Sequence, residues 1–440
     1  MRWKRILVPD NIISPYPDRS MPLNPIPSSP VRSSPLEALR IPAFRSLIVG
    51  RFIFIMGLRM MSTLVGWWIY NLTNAPIAIG VVGLSEFIPA VSLALYAGHV
   101  IDLSEKRKLM LTGVGLYGLA ALLLLTLSSP PAASRLTNHW TAGCIYLIIF
   151  GTGIIRSFTG PIFNVMLAQI VPKNKLQNAI TWNTGVFLSA SITGHALGGF
   201  MIAGIGNTGT LTVVVLLVFI AFTVLMSLKP VKPLNERGEK KTWDSVKEGL
   251  SFVFKTKELL AAVSLDLFAV LFGGAVALIP VYARDILKVG AQGFGLLNGA
   301  SDMGSVCIVL LLTLFPPKRN QGKKLLFAVA GFGICIIVFG LSKLFWLSFG
   351  VLLLSGMLDG ISVVTRGTIM QLKTPDHMRG RVLSVNSMFI NSSNELGQFE
   401  SGMAARFLGV VPSVVFGGCM TLLVVVFTWF KAPSLRKMEY

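Results

Sequence analysis

Long apolar segments alternate with short polar segments along most of this chain. Runs such as TLTVVVLLVFIAFTVLMSL and TLLVVVFTWF belong to segments of about 20 apolar residues, the length at which an α-helix crosses the roughly 30 Å hydrocarbon core of a bilayer. Strand-like alternation of polar and apolar residues does not occur in them, so the expected spanning elements are helices. The pattern predicts twelve transmembrane helices, at residues 46–70, 77–98, 109–128, 141–169, 180–203, 209–228, 259–283, 292–315, 324–343, 345–370, 382–408 and 412–430.

The composition agrees with an integral membrane protein, because 53% of the residues are hydrophobic and only 13% are charged. A net charge of +20 would suggest nucleic-acid or membrane-surface binding if the lysines and arginines were evenly spread. With a cytoplasmic N-terminus, however, 30 of the 39 lysines and arginines lie in cytoplasmic segments. This asymmetry follows the positive-inside rule, so the charge indicates topology, with both termini cytoplasmic, and no nucleic-acid partner is expected.

The polar segments divide the chain into two halves. The expected organisation is a disordered cytoplasmic tail at 1–40, a six-helix bundle at 41–228, a cytoplasmic linker at 229–257, a second bundle at 258–431 and a short tail at 432–440. Met21 is an alternative start. A shift of 215 or 216 residues aligns LTNAPIAIGVVGLSE, which ends at Glu86, with LKVGAQGFGLLNGASD, which ends at Asp302. Two related halves with charges inside the membrane indicate a secondary transporter with a midplane site.

Charged residues avoid every third span. The third, sixth, ninth and twelfth spans carry none in their cores and are therefore predicted to face lipid. Charges elsewhere must face a cavity or one another, because a charged group at the bilayer centre costs several kcal/mol. Six charged residues near the middle of their spans predict one polar layer: Arg59, Glu86, Arg156, Asp302, Asp359 and Glu395. A functional cavity is favoured over ion pairs that serve assembly alone.

The eleventh span contains the polar sequence NSSNELGQFESG. At 100° per residue, Asn391, Asn394, Glu395 and Gln398 share one helix face, which is predicted to look into the cavity. Glu400 points nearly the opposite way and is expected to seal a helix contact. Four cysteines lie within spans and are interpreted as packing residues rather than disulfides or metal ligands.

The two bundles, the charge-free third helices and the loop GHVIDLSEKRK together resemble the major facilitator superfamily, over about residues 40–430. The loop signature of that superfamily is roughly G-x-x-x-D-R/K-x-G-R-R/K, and Gly98, Asp102, Lys106 and Arg107 match it in register. Leu103 and Glu105 replace a basic residue and a glycine, which implies a looser loop. The resemblance implies that the four matching residues form a cytoplasmic gate between the bundles.

The fifth span contains GVFLSASITGHALGG, which resembles the G-P-x-x-G-G signature of exporters in this superfamily. Gly194, Gly198 and Gly199 match, while His195 takes the place of the proline. Small residues at this spacing let helices approach closely, so ordinary packing accounts for them equally well. We interpret His195 as a hydrogen-bonded packing residue rather than a titrating one.

The segment RGTIMQLKTPDHMRGRVLSVNSMFINSSNELGQFESGMAARFLG, with VGWWIYNLT and IPVYARDIL, resembles the branch that includes enterobactin exporters and drug-efflux permeases. This resemblance implies an all-α membrane fold of two six-helix bundles. It also implies a proton-driven antiporter of the bacterial inner membrane that exports a siderophore or drug-like compound by alternating access. The expected partners are protons, substrate and lipid, with no cofactor and no further subunit.

Within this mechanism the polar residues fall into two predicted groups. The proton-coupling candidates are Glu86, Asp302, Asp359 and Glu395. The candidates for binding substrate or holding an acid ionised are Arg59, Arg156, Arg366, Asn391, Asn394 and Gln398. The aromatic residues Trp67, Trp68 and Tyr70, at the outer end of the first span, are predicted to form an interfacial belt.

Three alternatives remain open. A proton symporter that imports a nutrient has the same general architecture. A non-transporting sensor or scaffold is disfavoured because the linker and tails are short and basic. A membrane-embedded enzyme is disfavoured because the HExxH, GxSxG and P-loop patterns are absent, so the protein is predicted not to be an enzyme.

Overall fold

The computed structural model describes residues 36–230, 242–314, 320–375 and 378–438, and these residues form helices joined by short turns. The helices are α1 (Pro42–Thr73), α2 (Pro76–Leu103), α3 (Lys106–Ser128), α4 (Pro130–Arg135), α5 (Asn138–Ile170), α6 (Leu176–Met226), α7 (Thr242–Lys255), α8 (Lys257–Phe272), α9 (Ile279–Val281), α10 (Gly290–Leu314), α11 (Gln321–Leu341), α12 (Phe345–Lys373), α13 (Arg379–Leu408), α14 (Val410–Lys431) and α15 (Pro433–Arg436).

Ten helical segments of the described residues are long and apolar enough to span a membrane, and one of them, Lys257–Ile286, continues past the end of α8. One of the ten is the 51-residue α6, which contains two spans separated at Gly206, where φ is +70°. Glycine tolerates this left-handed conformation without the steric cost that a Cβ would add. The remaining span is α13, whose many polar residues set it apart from the apolar helices.

Two segments differ from the prediction. The seventh span, predicted as one helix over 259–283, ends its regular part at Phe272 and continues as a 3₁₀ turn at Gly274–Leu278, α9 and a π turn at Tyr282–Ile286. A Cβ at Gly274 would lie 2.7 Å from the backbone oxygen of Gly397, so the break allows α13 to approach closely. The predicted linker also contains a helix, α7, because Val253 buries its side chain in one apolar cluster with Val382 and Val385 of α13.

The helices form two bundles that meet along two seams. Helices α1, α2, α3, α5 and α6 pack mainly on one another, and so do α8 and α10 to α14. The seams join α2 to α13 and α6 to α10. The main contacts of α3, α11 and α14 are with helices of their own bundle, which agrees with the lipid-facing positions predicted for the charge-free spans.

The seams are tight at one end of the molecule. We call the end that carries the start of α1 and the α2–α3 and α6–α8 connections the basic end, and the other the opposite end. Near the opposite end, a Cβ at Gly80 would lie 3.0 Å from the Cα of Phe399, and one at Gly199 would lie 2.7 Å from the Cα of Gly295. Both seams therefore bring helix backbones into close contact near the opposite end.

Candidate functional site

An arginine at mid-membrane depth links the two bundles through two carboxylates. Arg156 of α5 donates from Nη1 to Oε1 of Glu86 on α2, at 2.8 Å, and to Oε1 of Glu395 on α13, at 2.7 Å. The residue Glu395 is 7% exposed. When both acids are ionised the cluster carries one net negative charge, so a single added proton makes it neutral. We call these three residues the triad.

The polar residues of α13 have different surroundings on the two sides of the triad. The Gln398 side chain lies 3.4 Å from Oε2 of Glu395, and the absence of a side chain at Gly83 of α2 makes room for it. Asn391 is exposed nearer the basic end, and so is Asn394, which donates to the backbone oxygen of Ile390 in its own helix. Tertiary packing thus places Gln398 in the seam and leaves both asparagines beside open space.

Glu400 forms no ion pair among the described residues. It is partly buried on α13, and the next residue along the chain, Ser401, lies against Gly274 of the broken seventh span. The structural role of Glu400 stays a prediction.

A second polar cluster occupies the other seam. Ser191 of α6 donates to Oδ2 of Asp302 on α10 at 2.5 Å, and Nε2 of His195 lies 3.9 Å from the same oxygen. The other ring nitrogen of His195 is 2.8 Å from the hydroxyl of Thr63 on α1. The histidine is therefore hydrogen-bonded inside the bundle interface.

Two further residues of the predicted layer lie near this second cluster. Arg59 is close enough to act electrostatically on both Asp302 and Glu395, and its guanidinium lies 5.5 Å from the ring centroid of Phe187. Asp359 of α12 is close enough to interact electrostatically with Asp302. Direct contacts therefore join three of the six predicted mid-membrane charges in the triad and place Asp302 in the second cluster.

Arg366 forms no ion pair with the triad or with Asp302 among the described residues. It forms an ion pair with Asp266 of α8, and both side chains are less than 10% exposed. Both residues belong to the second bundle, so this pair does not cross a seam. Asp266 lies within the predicted seventh span, but the sequence does not indicate which charge it pairs with.

A contact between bundles closes the opposite end. The Tyr70 hydroxyl of α1 donates to Asp285, and the Arg284 guanidinium lies 5.2 Å from the Tyr70 ring centroid. Trp67 stacks on Phe294 of α10 with centroids 5.6 Å apart.

The interfacial-belt prediction for these aromatic residues was wrong. Tyr70 and Trp68 are buried and Trp67 packs on the other bundle, because the seam covers this end of α1. The adjacent charges Arg284 and Asp285 at the end of the seventh span were the sequence signal that could have indicated a contact here.

The glycines of the fifth span serve two different contacts. A Cβ at Gly194 or Gly198 would press on α1, at 2.7 Å from the Met56 backbone oxygen and 3.2 Å from the Cα of Met60, respectively. A Cβ at Gly199 would press on the backbone of α10 in the other bundle. The motif therefore supports both packing within a bundle and contact across the seam.

The structure describes the side chains of two of the four predicted gate residues. Gly98 and Asp102 lie outside the residues whose side chains are described. Lys106 is buried and donates to the backbone oxygen of Ile101, and Arg107 donates to that of Met226 at 2.7 Å. Both contacts lie within the first bundle, so the role of this loop as a gate stays a prediction.

Comparisons with known proteins identify a family model and relatives that match most of the chain. A family model described as transmembrane secretion effector matches residues 33–440. The uncharacterized MFS-type transporter YfmI of Bacillus subtilis is 22% identical over 87% of this chain and 95% of its own length. The enterobactin exporter EntS of Shigella boydii is 23% identical over 90% of this chain and 94% of its own.

The solved structure of a D-xylose-proton symporter is similar with a TM-score of 0.67, at 14% identity, over 92% of this chain and all of the symporter. At that identity the likeness concerns the fold alone. Since the family model covers nearly the whole described chain, the protein belongs to the transmembrane secretion effector family of major facilitator transporters and is not an enzyme.

Proposed function

We propose that this transporter is a proton-coupled antiporter that exports a small organic compound of siderophore or drug-like type by alternating access. The observation that carries the proposal is the shared guanidinium of Arg156, which pairs with one carboxylate of each bundle. The export direction is supported by the family description as a secretion effector and by the name of the enterobactin exporter. The chain works as a monomer in a bacterial inner membrane, with the basic end in the cytoplasm.

The coupling step is an exchange of partners at Arg156. With the basic end open, Glu395 is ionised and paired, so its proton has left to the cytoplasm. A polar group of the substrate enters from that end and displaces Arg156 from Glu395, which frees the link between bundles and allows them to rock. At the opposite side Glu395 takes a proton, and substrate leaves. The energy source is the proton gradient, with no cofactor.

The other polar residues support this exchange. Glu86 holds Arg156 on the first bundle throughout, while Asp302 and Asp359 are further coupling candidates beside Arg59. The exposed Asn391 and Asn394, together with Gln398, line the path that substrate follows to the triad. Arg366 maintains the ionised state of Asp266.

The test replaces Glu395 by glutamine in proteoliposomes, with ethidium and enterobactin as transport probes. Flux driven by an imposed pH gradient should fall by at least about tenfold, because the amide cannot exchange a proton, while gradient-free counterflow of the probes persists. The matched control is Glu400→Gln, an acid-to-amide change in the same helix, which should keep gradient-driven flux. Unchanged pH-driven flux in Glu395→Gln would show that the triad is structural.

The direction is tested separately with inside-out vesicles. An exporter accumulates probe in the vesicle lumen when that lumen is acidic, because outward-directed antiport then runs inward relative to the vesicle. A nutrient symporter would instead release probe from a preloaded lumen under the same gradient, and that result would exclude export.

A further inference from the structure

A cavity of about 420 Å³ lies between α1, α5 and α6, toward the basic end from the triad. Its polar lining comes from Arg51, Asn164 and Asn183, together with the hydroxyl of Thr184. The rest of the lining is apolar and consists of Leu167, Ala168, Leu176, Ile180 and Phe187. This volume and this mixture of a few polar groups with apolar walls are typical of small-molecule sites.

Arg51 brings an uncompensated positive charge to this cavity. Its side chain is 9% exposed, and it forms no ion pair with any carboxylate among the described residues. Its Nε is buried without a hydrogen-bond partner in the part of the chain that the structure describes. Glu37, an acid at the same end, is occupied by Lys175 at 3.1 Å. A buried charge without a counterion is costly, and an anion entering the cavity would remove that cost.

The two asparagines leave the cavity rich in hydrogen-bond donors. Nη1 of Arg51 donates to Oδ1 of Asn183 at 2.7 Å and to Oδ1 of Asn164 at 3.2 Å. Because a guanidinium can only donate, both amide oxygens must turn toward it. The amide NH₂ groups then point elsewhere: that of Asn183 reaches Oδ1 of Asn164 at 3.3 Å, and that of Asn164 donates to no atom of the described residues. Such a set of donors suits a carboxylate or phosphate rather than a cation.

Aromatic rings contact the charged groups at and beside the cavity, which lies next to the layer of mid-membrane charges. The Arg51 guanidinium lies 5.2 Å from the ring centroid of Phe163, which fixes its orientation. Phe187 lines the cavity, and its ring also contacts the guanidinium of Arg59. Arg59 is eight residues, or about 12 Å of helix, beyond Arg51 along α1. Ile180 and Thr184 are exposed, so the cavity is accessible.

We propose that this cavity binds the anionic head of an amphipathic organic molecule, with Arg51 and Asn164 as donors and the leucine, isoleucine and phenylalanine side chains around its apolar body. The proposal rests on the proposed function only in identifying that molecule with the transported compound. The same chemistry could also come from an anionic membrane lipid. The volume, however, fits a single-chain or compact molecule better than a two-chain lipid.

The test compares equilibrium binding of decanoate, decyl phosphate and decylammonium to the full chain in a neutral detergent. The decisive variant is Asn164→Asp, which has the same shape but supplies a resident carboxylate to Arg51. Wild type should bind both anions in preference to the cation, and Asn164→Asp should weaken anion binding by about tenfold or more. Its melting temperature should be retained or raised, because the buried arginine gains a counterion.

Two further variants complete the test. Asn138→Asp adds the same charge at the start of α5 near the opposite end and should leave anion binding unchanged. Ala168→Phe fills the cavity without changing the charge of Arg51, and should weaken anion binding at least as much as Asn164→Asp does. Anion binding as tight as that of wild type in Asn164→Asp or in Ala168→Phe, or a wild type that does not prefer anions, would overturn the proposal.

A parallel measurement distinguishes the two sources of anion. Phosphatidylglycerol is added to the detergent, and its retention is followed by native mass spectrometry with and without decanoate. Displacement of the lipid by decanoate, or no retention, supports a soluble substrate. Retention of the lipid that decanoate cannot displace overturns the substrate assignment. Since no pH gradient is present, these results are independent of the Glu395→Gln transport assay.

Discussion

At the scale of single residues, the buried charges of this protein occur in two different arrangements. Asp266 and Arg366 form a closed pair in which each charge has one partner. The triad has three charges, so one acid must compete with the other for Arg156. A pair of opposite charges stabilises the fold. A cluster with two acids and one arginine can change its pairing when a proton or a substrate binds.

The closed pair yields a stability prediction. Arg366→Met should lower the free energy of unfolding by about 3–5 kcal/mol, because it leaves Asp266 buried without a counterion. The double variant Asp266→Leu with Arg366→Met should recover most of this loss, since neither charge then remains. Melting temperatures of the purified proteins in detergent report both effects. A single variant as stable as wild type would contradict the structural role of the pair.

At the scale of elements, glycines decide where helices touch. Gly199 allows α6 to meet α10 across the seam, where an added Cβ would lie 2.5 Å from the Ala291 backbone oxygen. Gly185 lies in the same helix, but a Cβ there would meet nothing within 4 Å. Close contact between helices therefore requires glycine at position 199, whereas the glycine at position 185 has no neighbour that a methyl group would meet.

This difference predicts opposite effects of one substitution. Gly199→Ala should destabilise the protein by about 1–3 kcal/mol, because the methyl group must push two backbones apart. Gly185→Ala should be neutral or stabilising by up to about 1 kcal/mol, since alanine favours a helix interior. Thermal unfolding of the two variants checks the prediction, and equal melting temperatures would contradict it.

At the scale of the whole molecule, the two ends of the bundle interface differ. The seams and the Tyr70–Asp285 contact close the opposite end, while Asn391 and Asn394 of α13 are exposed toward the basic end. Alternating access requires this arrangement to reverse. The contacts at the opposite end must therefore be weak enough to break when the triad exchanges partners.

The role of the closing contact is testable by distance measurement. Tyr70→Phe removes the hydroxyl that donates to Asp285 and should increase the population open at the opposite end. Spin labels at the exposed positions His139 and Lys343, one in each bundle, should then show a larger share of long distances. The labels require a background in which the four native cysteines are replaced.

The matched control for this change is Tyr117→Phe. The Tyr117 hydroxyl donates to the backbone oxygen of Thr152 within the first bundle, at 3.4 Å, so its removal should leave the distance distribution unchanged. An unaltered distribution in Tyr70→Phe would mean that the tyrosine does not hold the opposite end closed.

Much of the candidate site follows from depth along predicted helices. Glu86, Arg156 and Glu395 were predicted to share one layer because each lies near the middle of its span, and the structure brings them into contact. Depth placed Arg366 outside this layer but did not identify the residue that it pairs with. Its partner Asp266 is about 100 residues away along the chain, and only helix packing selects which opposite charge lies within reach.

The sequence by itself determined where the membrane spans lie and the depth of their charges, because the bilayer imposes length and apolarity on every span and makes each unpaired charge costly. It did not determine the break in the seventh span or the helix α7. Only the tertiary structure decided which charges meet, which glycines lie in a seam, and that Arg51 borders a cavity without a counterion. These outcomes depend on the rotation and separation of helices distant in sequence, and hydropathy along one helix carries no information about its neighbours.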